Sequence, residues 1–194
     1  MAMGNNPISN FDVLGDIFRG VNETSANRAL SLLRNTFGKI DGAADLMNLF
    51  SISNDGVTFN AINEDAFKIA ISRLGADAQA LAQGYFSLIS SEDVNFIAVI
   101  NSDNGETADL SQAKGMSETF KNISSTRLQG ADGKKIDGGK TLVDFNGQSI
   151  VAIDITAKTV LKDVEDKKGN PVDHVPSGAE LMAHETVGHA LSLR

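Results

Sequence analysis

The sequence has no cysteine. That excludes a disulfide framework, a Cys-based zinc ribbon and iron–sulfur ligation, so any metal must be held by His, Asp or Glu. Basic charge is also short: 17 Lys and Arg stand against 25 Asp and Glu in 194 residues, a formal net charge of −8 with His neutral. The basic residues are scattered among acids, and such a chain repels a phosphate backbone, which argues against a nucleic-acid partner. No run approaches the roughly 18 apolar residues of a membrane span. Met1 to Asp12 has neither the basic n-region nor the apolar h-region of a signal peptide, so the chain is not expected to direct its own export. Histidine is scarce as well, with three in the whole chain, all between positions 174 and 189.

What is present is enough for one domain: 41 % of the residues are hydrophobic, which suffices for a core at this length. Helical spacing is clear over Ser25 to Phe37, with Ala29, Leu32, Leu33 and Phe37 on one stripe behind a Thr24/Ser25 cap. Ala43 to Phe50, Asp65 to Leu74 and Asp77 to Ile89 read as further helices. Gly56 to Ile62 alternates like a short strand. Val94 to Ile100 and Gln148 to Ile155 are compact β-branched runs expected to be buried strands, and Thr159 to Val164 is a third candidate. Asp103 to Gly147 reads as a long excursion with a short helix near Met116 to Ile123 and a hairpin around Lys134 to Val143. Gly139-Lys140-Thr141 and Asn101 to Gly105 look superficially like phosphate and calcium loops, but their spacing fits neither, and both are read as turns. The expected class is α+β, with N-terminal helices packed on a small mixed or antiparallel sheet.

Residues 1–15 read MAMGNNPISNFDVLG, dominated by turn formers. Gly4-Asn5-Asn6-Pro7-Ile8 followed by Asp12-Val13-Leu14-Gly15 resembles the motif that closes the core of Rhs (YD-repeat) proteins, with Val13 where that motif has proline. In that family the motif marks the junction between an encapsulating shell and a variable C-terminal toxin. The resemblance implies that residues 1–20 end the junction and that residues 21–194 form the toxin domain. It also implies an Rhs shell in cis, an immunity protein as partner, and export as part of a larger toxin that acts in a target cell.

The chain closes on a well-punctuated helix: Pro176 precedes it, Ser177 is a good N-cap, and Glu180 completes a capping box, so a helix is expected from Gly178 to about Leu193. It carries His184, Glu185 and His189. Zinc hydrolases need two neutral imidazoles aimed at one point, with a carboxylate one residue along to take a proton from the attacking water. The two histidines are five residues apart, however, and at about 100° per residue that splays them roughly 140° around a regular α-helix. A π-bulge would restore convergence, with Gly188 easing the distortion.

His184-Glu185-Thr186-Val187-Gly188-His189 resembles the HExxGH variant of the dipeptidyl peptidase III family of zinc peptidases, and its surroundings look like those of zincin-like peptidase domains. The resemblance implies that His184 and His189 are zinc ligands and that Glu185 is the general base acting on a protein or peptide substrate. It also implies an edge strand beside the motif helix that holds the substrate by β-addition, for which Gln148–Ile155 is the candidate, leaving Asp154 near the site. Those peptidases take a third ligand from a downstream helix, whereas this chain stops at Arg194. The third ligand is therefore expected either beyond Arg194, in a truncated chain, or upstream at His174, with Asp173 and Asp154 behind it. The competing reading is a non-catalytic binding or packaging domain whose His-Glu helix is a polar face. A metal-dependent hydrolase of non-peptide substrates would use the same ligands.

Overall fold

The computed structural model describes residues 17–91, 93–128, 136, 138–144, 147–165 and 168–190. The junction motif at 4–15 and the last four residues lie outside these ranges. The described residues form an α+β structure around a four-stranded mixed sheet, as the composition and patterning led us to expect.

Strands β1 (Ile17–Gly20), β2 (Val94–Ile100) and β4 (Ser149–Asp154) run parallel, and β3 (Gly139–Val143) pairs antiparallel with β4, giving the order β1-β2-β4-β3. Helices α1 (Glu23–Phe37), α2 (Ala44–Leu49), α3 (Glu64–Ile71) and α4 (Ala76–Ile89) lie between β1 and β2 in the chain. They build a core on one sheet face from Leu33, Phe37, Phe67 and Tyr85 against Phe18, Ile97, Val99, Val151 and Ile153. On the other face, α5 (Glu118–Leu128) and the segment before it pack Leu110, Met116 and Phe120 against Phe96, Ala98, Ile150 and Ala152. Because both faces are covered, β2 and β4 are apolar at both parities, which is why their sequences read as continuous runs.

Several expectations are corrected here. Gln148–Ile155 is not an edge strand: β4 lies between β2 and β3, and the edge next to the closing helix is β3. The excursion that begins at Asp103 returns as β3, which adds to the side of β4 that a sequence pattern leaves unspecified. Gly56 to Ile62 forms no strand but a loop with two isolated bridges, Arg19 to Thr58 and Ile52 to Phe59. That loop is organised by Asp55, whose carboxylate accepts hydrogen bonds from Ser53 Oγ, Val57 N, Thr58 N and Thr58 Oγ1. The third strand candidate, Thr159 to Val164, appears as β5 (Leu161–Glu165), and it pairs with β6 (Pro171–His174). The sheet also takes in Ile17–Gly20, from the stretch assigned to the junction, and α1 is capped by Asn22 rather than by Thr24 or Ser25.

Candidate metal centre

The closing helix starts as expected. Ser177 Oγ accepts from Glu180 N and Glu180 Oε2 accepts from Ser177 N at 2.7 Å, so the capping box is complete and α6 covers Gly178–Ala183. From His184 to Ala190 the helix then winds with π geometry for seven residues. The i→i+5 step brings residue i+5 back over residue i, which is what the spacing of the histidines requires. His184 Nε2 and His189 Nε2 lie 3.0 Å apart, with the rings nearly perpendicular at 86°. Both imidazoles are exposed while Glu185 between them is buried, and ligand atoms of all three lie within 4.8 Å of one another. Among the described residues these three side chains form a group that can hold a metal ion.

Two neighbouring elements hold the π turn. On one side, β3 brings Thr141 Oγ1 within 2.7 Å of Glu185 Oε2 and 3.0 Å of Glu185 O, so the hydroxyl proton anchors the residue between the histidines. Beside it, a Cβ on Gly139 would stand 2.5 Å from Glu185 Cγ, so only glycine lets the strand approach this closely. On the other side, α4 meets the turn at Gly84, where a Cβ would stand 2.5 Å from Val187 Cγ1. Next to Gly84, burial pushes the Tyr85 phenol up to about 12. The nearby Thr186 hydroxyl, which donates to Met182 O, eases that shift, and among the described residues Tyr85 Oη has no partner in normal hydrogen-bond geometry.

The other sequence candidates are placed elsewhere. His174 Nε2 faces Glu180 Oε1 at 3.2 Å and is not in the three-residue group. Asp173 pairs with Lys162 across the β5–β6 hairpin. Asp154 is not free to serve the site. Burial opposes its ionisation, but hydrogen bonds from Ser102 and Thr156 outweigh that and hold its carboxyl below the usual range. Gly188, singled out by its place next to His189, is not sterically demanded, since a Cβ there would meet only His184 Nδ1 at 3.9 Å. Gly84, Gly139 and Thr141 are not among the site residues that the sequence singles out. Gly139-Lys140-Thr141 lies in the stretch expected to form a hairpin around Lys134 to Val143, and the run Thr141-Leu142-Val143 after the glycines is the available sign of a strand.

His184 and Glu185 border a cleft of about 420 Å³ whose other walls come from Gly138, Leu161, His174, Pro176 and Leu181. Comparison with protein-family models, with curated proteins and with solved structures finds no match for this chain. Among the described residues, no helix is long and apolar enough to cross a membrane.

Proposed function

We propose that the chain is a zinc-dependent metallopeptidase domain in which His184 and His189 hold the metal and Glu185 is the general base. The observation that carries this reading is the π turn: a seven-residue departure from α geometry brings two imidazoles and a buried carboxylate to one point. A polar helix face with no ligand has no need of such a distortion. The donor set fits the metal, since two nitrogens about 2.05 Å from a tetrahedral zinc stand roughly 3.3 Å apart, close to the 3.0 Å between the Nε2 atoms.

Zinc, when bound, supplies Lewis acidity toward a carbonyl and toward water. The chain's own groups do the rest. Glu185 accepts the proton of the attacking water at a carboxylate oxygen and passes it to the leaving amine. Thr141 keeps that carboxylate in one rotamer, and Gly139 lets β3 lie against it. Among the described residues the outer edge of β3 pairs with no strand of the sheet, and it replaces Gln148–Ile155 as the strand expected to receive an extended substrate. The resemblance of residues 4–15 to the Rhs junction supports placing this activity at the toxin tip of an Rhs-type protein, with an immunity protein as its antagonist.

Glu185→Gln tests the division of labour. As a base, Glu185 is dispensable for holding zinc, so the variant should keep stoichiometric metal and lose about 10²–10⁴ in peptide hydrolysis. His184→Ala and His189→Ala should lose metal and activity together. Metal content and hydrolysis measured side by side on the three variants decide it. If Glu185→Gln hydrolyses as well as wild type, the helix is not a peptidase site.

A further inference from the structure

Seven large hydrophobic side chains are exposed among the described residues, and five of them fall between positions 155 and 175: Ile155, Val160, Leu161, Val172 and Val175. They sit on the β5–β6 hairpin and its flanks. Leu161 and His174, which pair across the hairpin, also line the cleft that reaches Glu185. The apolar surface is therefore continuous with the candidate metal centre. Leu181 of α6 and Gly138 line the same cleft. A Cβ on Gly138, itself at φ +88°, would stand 3.6 Å from Leu181 Cδ2 and 3.4 Å from Thr159 Oγ1.

The polar groups of the cleft tell against an anionic occupant. Glu180 Oε2 accepts from Ser177 N, and Glu180 Oε1 faces His174 Nε2, so this carboxylate is already held by the helix cap and the hairpin. An entering Asp or Glu would meet two carboxylates, Glu180 and Glu185. What remains favourable is burial of apolar area against Leu161, Pro176 and Leu181.

We propose that this cleft is the pocket that selects the substrate. It takes a large uncharged apolar side chain, of the Leu, Met or Phe kind, from the residue beside the bond to be cut, and the β5–β6 hairpin is the element that grips it. The proposal rests on the peptidase reading above.

The chain contains no tryptophan, so a peptide with a single Trp reports its own burial without background. An acetylated hexapeptide with Trp at its centre is titrated with the metal-free chain, then displaced by hexapeptides with Leu, Met, Phe, Ala, Lys or Asp at that position. We expect a saturable blue shift of the emission. Leu, Met and Phe should displace the reporter at least about tenfold better than Ala, Lys or Asp, since one methylene in a hydrophobic pocket is worth about 10–200-fold. Leu161→Asp, at a side chain 46 % exposed and safe for the fold, should abolish the preference. Ile69→Asp, on α3 and 63 % exposed, should change nothing. Equal displacement by Lys or Asp, full binding by Leu161→Asp, or no binding at all would overturn the pocket. Cleavage of the same peptides by the zinc-loaded chain is read separately. Selective binding without cleavage sinks the peptidase reading and leaves the pocket standing, whereas cleavage without preference sinks the pocket alone.

Discussion

Gly84→Ala puts the packing of the π turn to a quantitative test. The added Cβ would stand 2.5 Å from Val187 Cγ1, 3.0 Å from Cγ2 and 3.3 Å from Cβ. Carbon atoms pack at about 3.5–4.0 Å, so roughly 1 Å must be found between α4 and the turn. Alanine in a helix interior returns about 1 kcal/mol relative to glycine, while overpacking of this kind costs about 1–3 kcal/mol. The net loss of stability is therefore between about 0 and 2 kcal/mol, and the fold should survive. Helix α4 is anchored by buried Tyr85, Leu88 and Ile89, so the π turn is the partner that yields. Its displacement separates His184 Nε2 from His189 Nε2, and zinc affinity should fall by at least about tenfold, equivalent to 1.4 kcal/mol. Val187→Ala removes both γ-carbons and should restore affinity in the double variant, with a coupling of about 0.5–3 kcal/mol. Urea unfolding and competition with a zinc-binding dye, run on the four proteins of the cycle, give both quantities. If Gly84→Ala binds zinc as tightly as wild type, or Val187→Ala fails to rescue it, α4 does not hold the turn.

Other variants address the remaining contacts. Thr141→Val removes the donor to Glu185 Oε2; a hydrogen bond to a charged group is worth about 1.5–3 kcal/mol, so peptide turnover should fall about tenfold to a hundredfold while zinc content, measured on the same sample, stays constant. His174→Ala should leave zinc affinity unchanged, because His174 is engaged with Glu180 and stands outside the ligand group; a loss of affinity would reinstate the upstream ligand. For Asp55, burial works against ionisation, but hydrogen bonds from Ser53, Thr58 and Val57 prevail and hold its carboxyl well below the carboxylate range. A depressed folded value means a stabilising contribution that is present above the unfolded value and lost as pH falls through the folded one. Urea unfolding should therefore show wild type more stable than Asp55→Ala by a constant margin above about pH 5, narrowing as pH drops below the ordinary value of about 3.9.

Much of this architecture was legible before folding. The four N-terminal helices follow from apolar residues at helical spacing, and β2 and β4 announce themselves as β-branched runs because burial on both faces leaves no polar parity. The capping box at Ser177 and Glu180 is a local pattern with a local structure. Even the π turn was implied, since a functional pairing of His184 with His189 is incompatible with α geometry.

Strand order was not legible in the same way. The continuous apolar run of Gln148–Ile155 states that the strand is buried and nothing about which strands stand on either side, so the edge position could pass to β3 only when the chain closed up. The partners of the candidate site depend on the same long-range contacts: Thr141 is 44 residues from Glu185, and Gly84 reaches Val187 from a different helix. By itself the sequence determined that the closing helix carries two imidazoles and a carboxylate at a spacing that regular winding cannot use. The tertiary structure alone decided what holds the unwound turn and what stands across the cleft from it. Local propensity acts between residues a few positions apart, whereas close approach at Gly84 and Gly139 exists only between segments that packing has brought together.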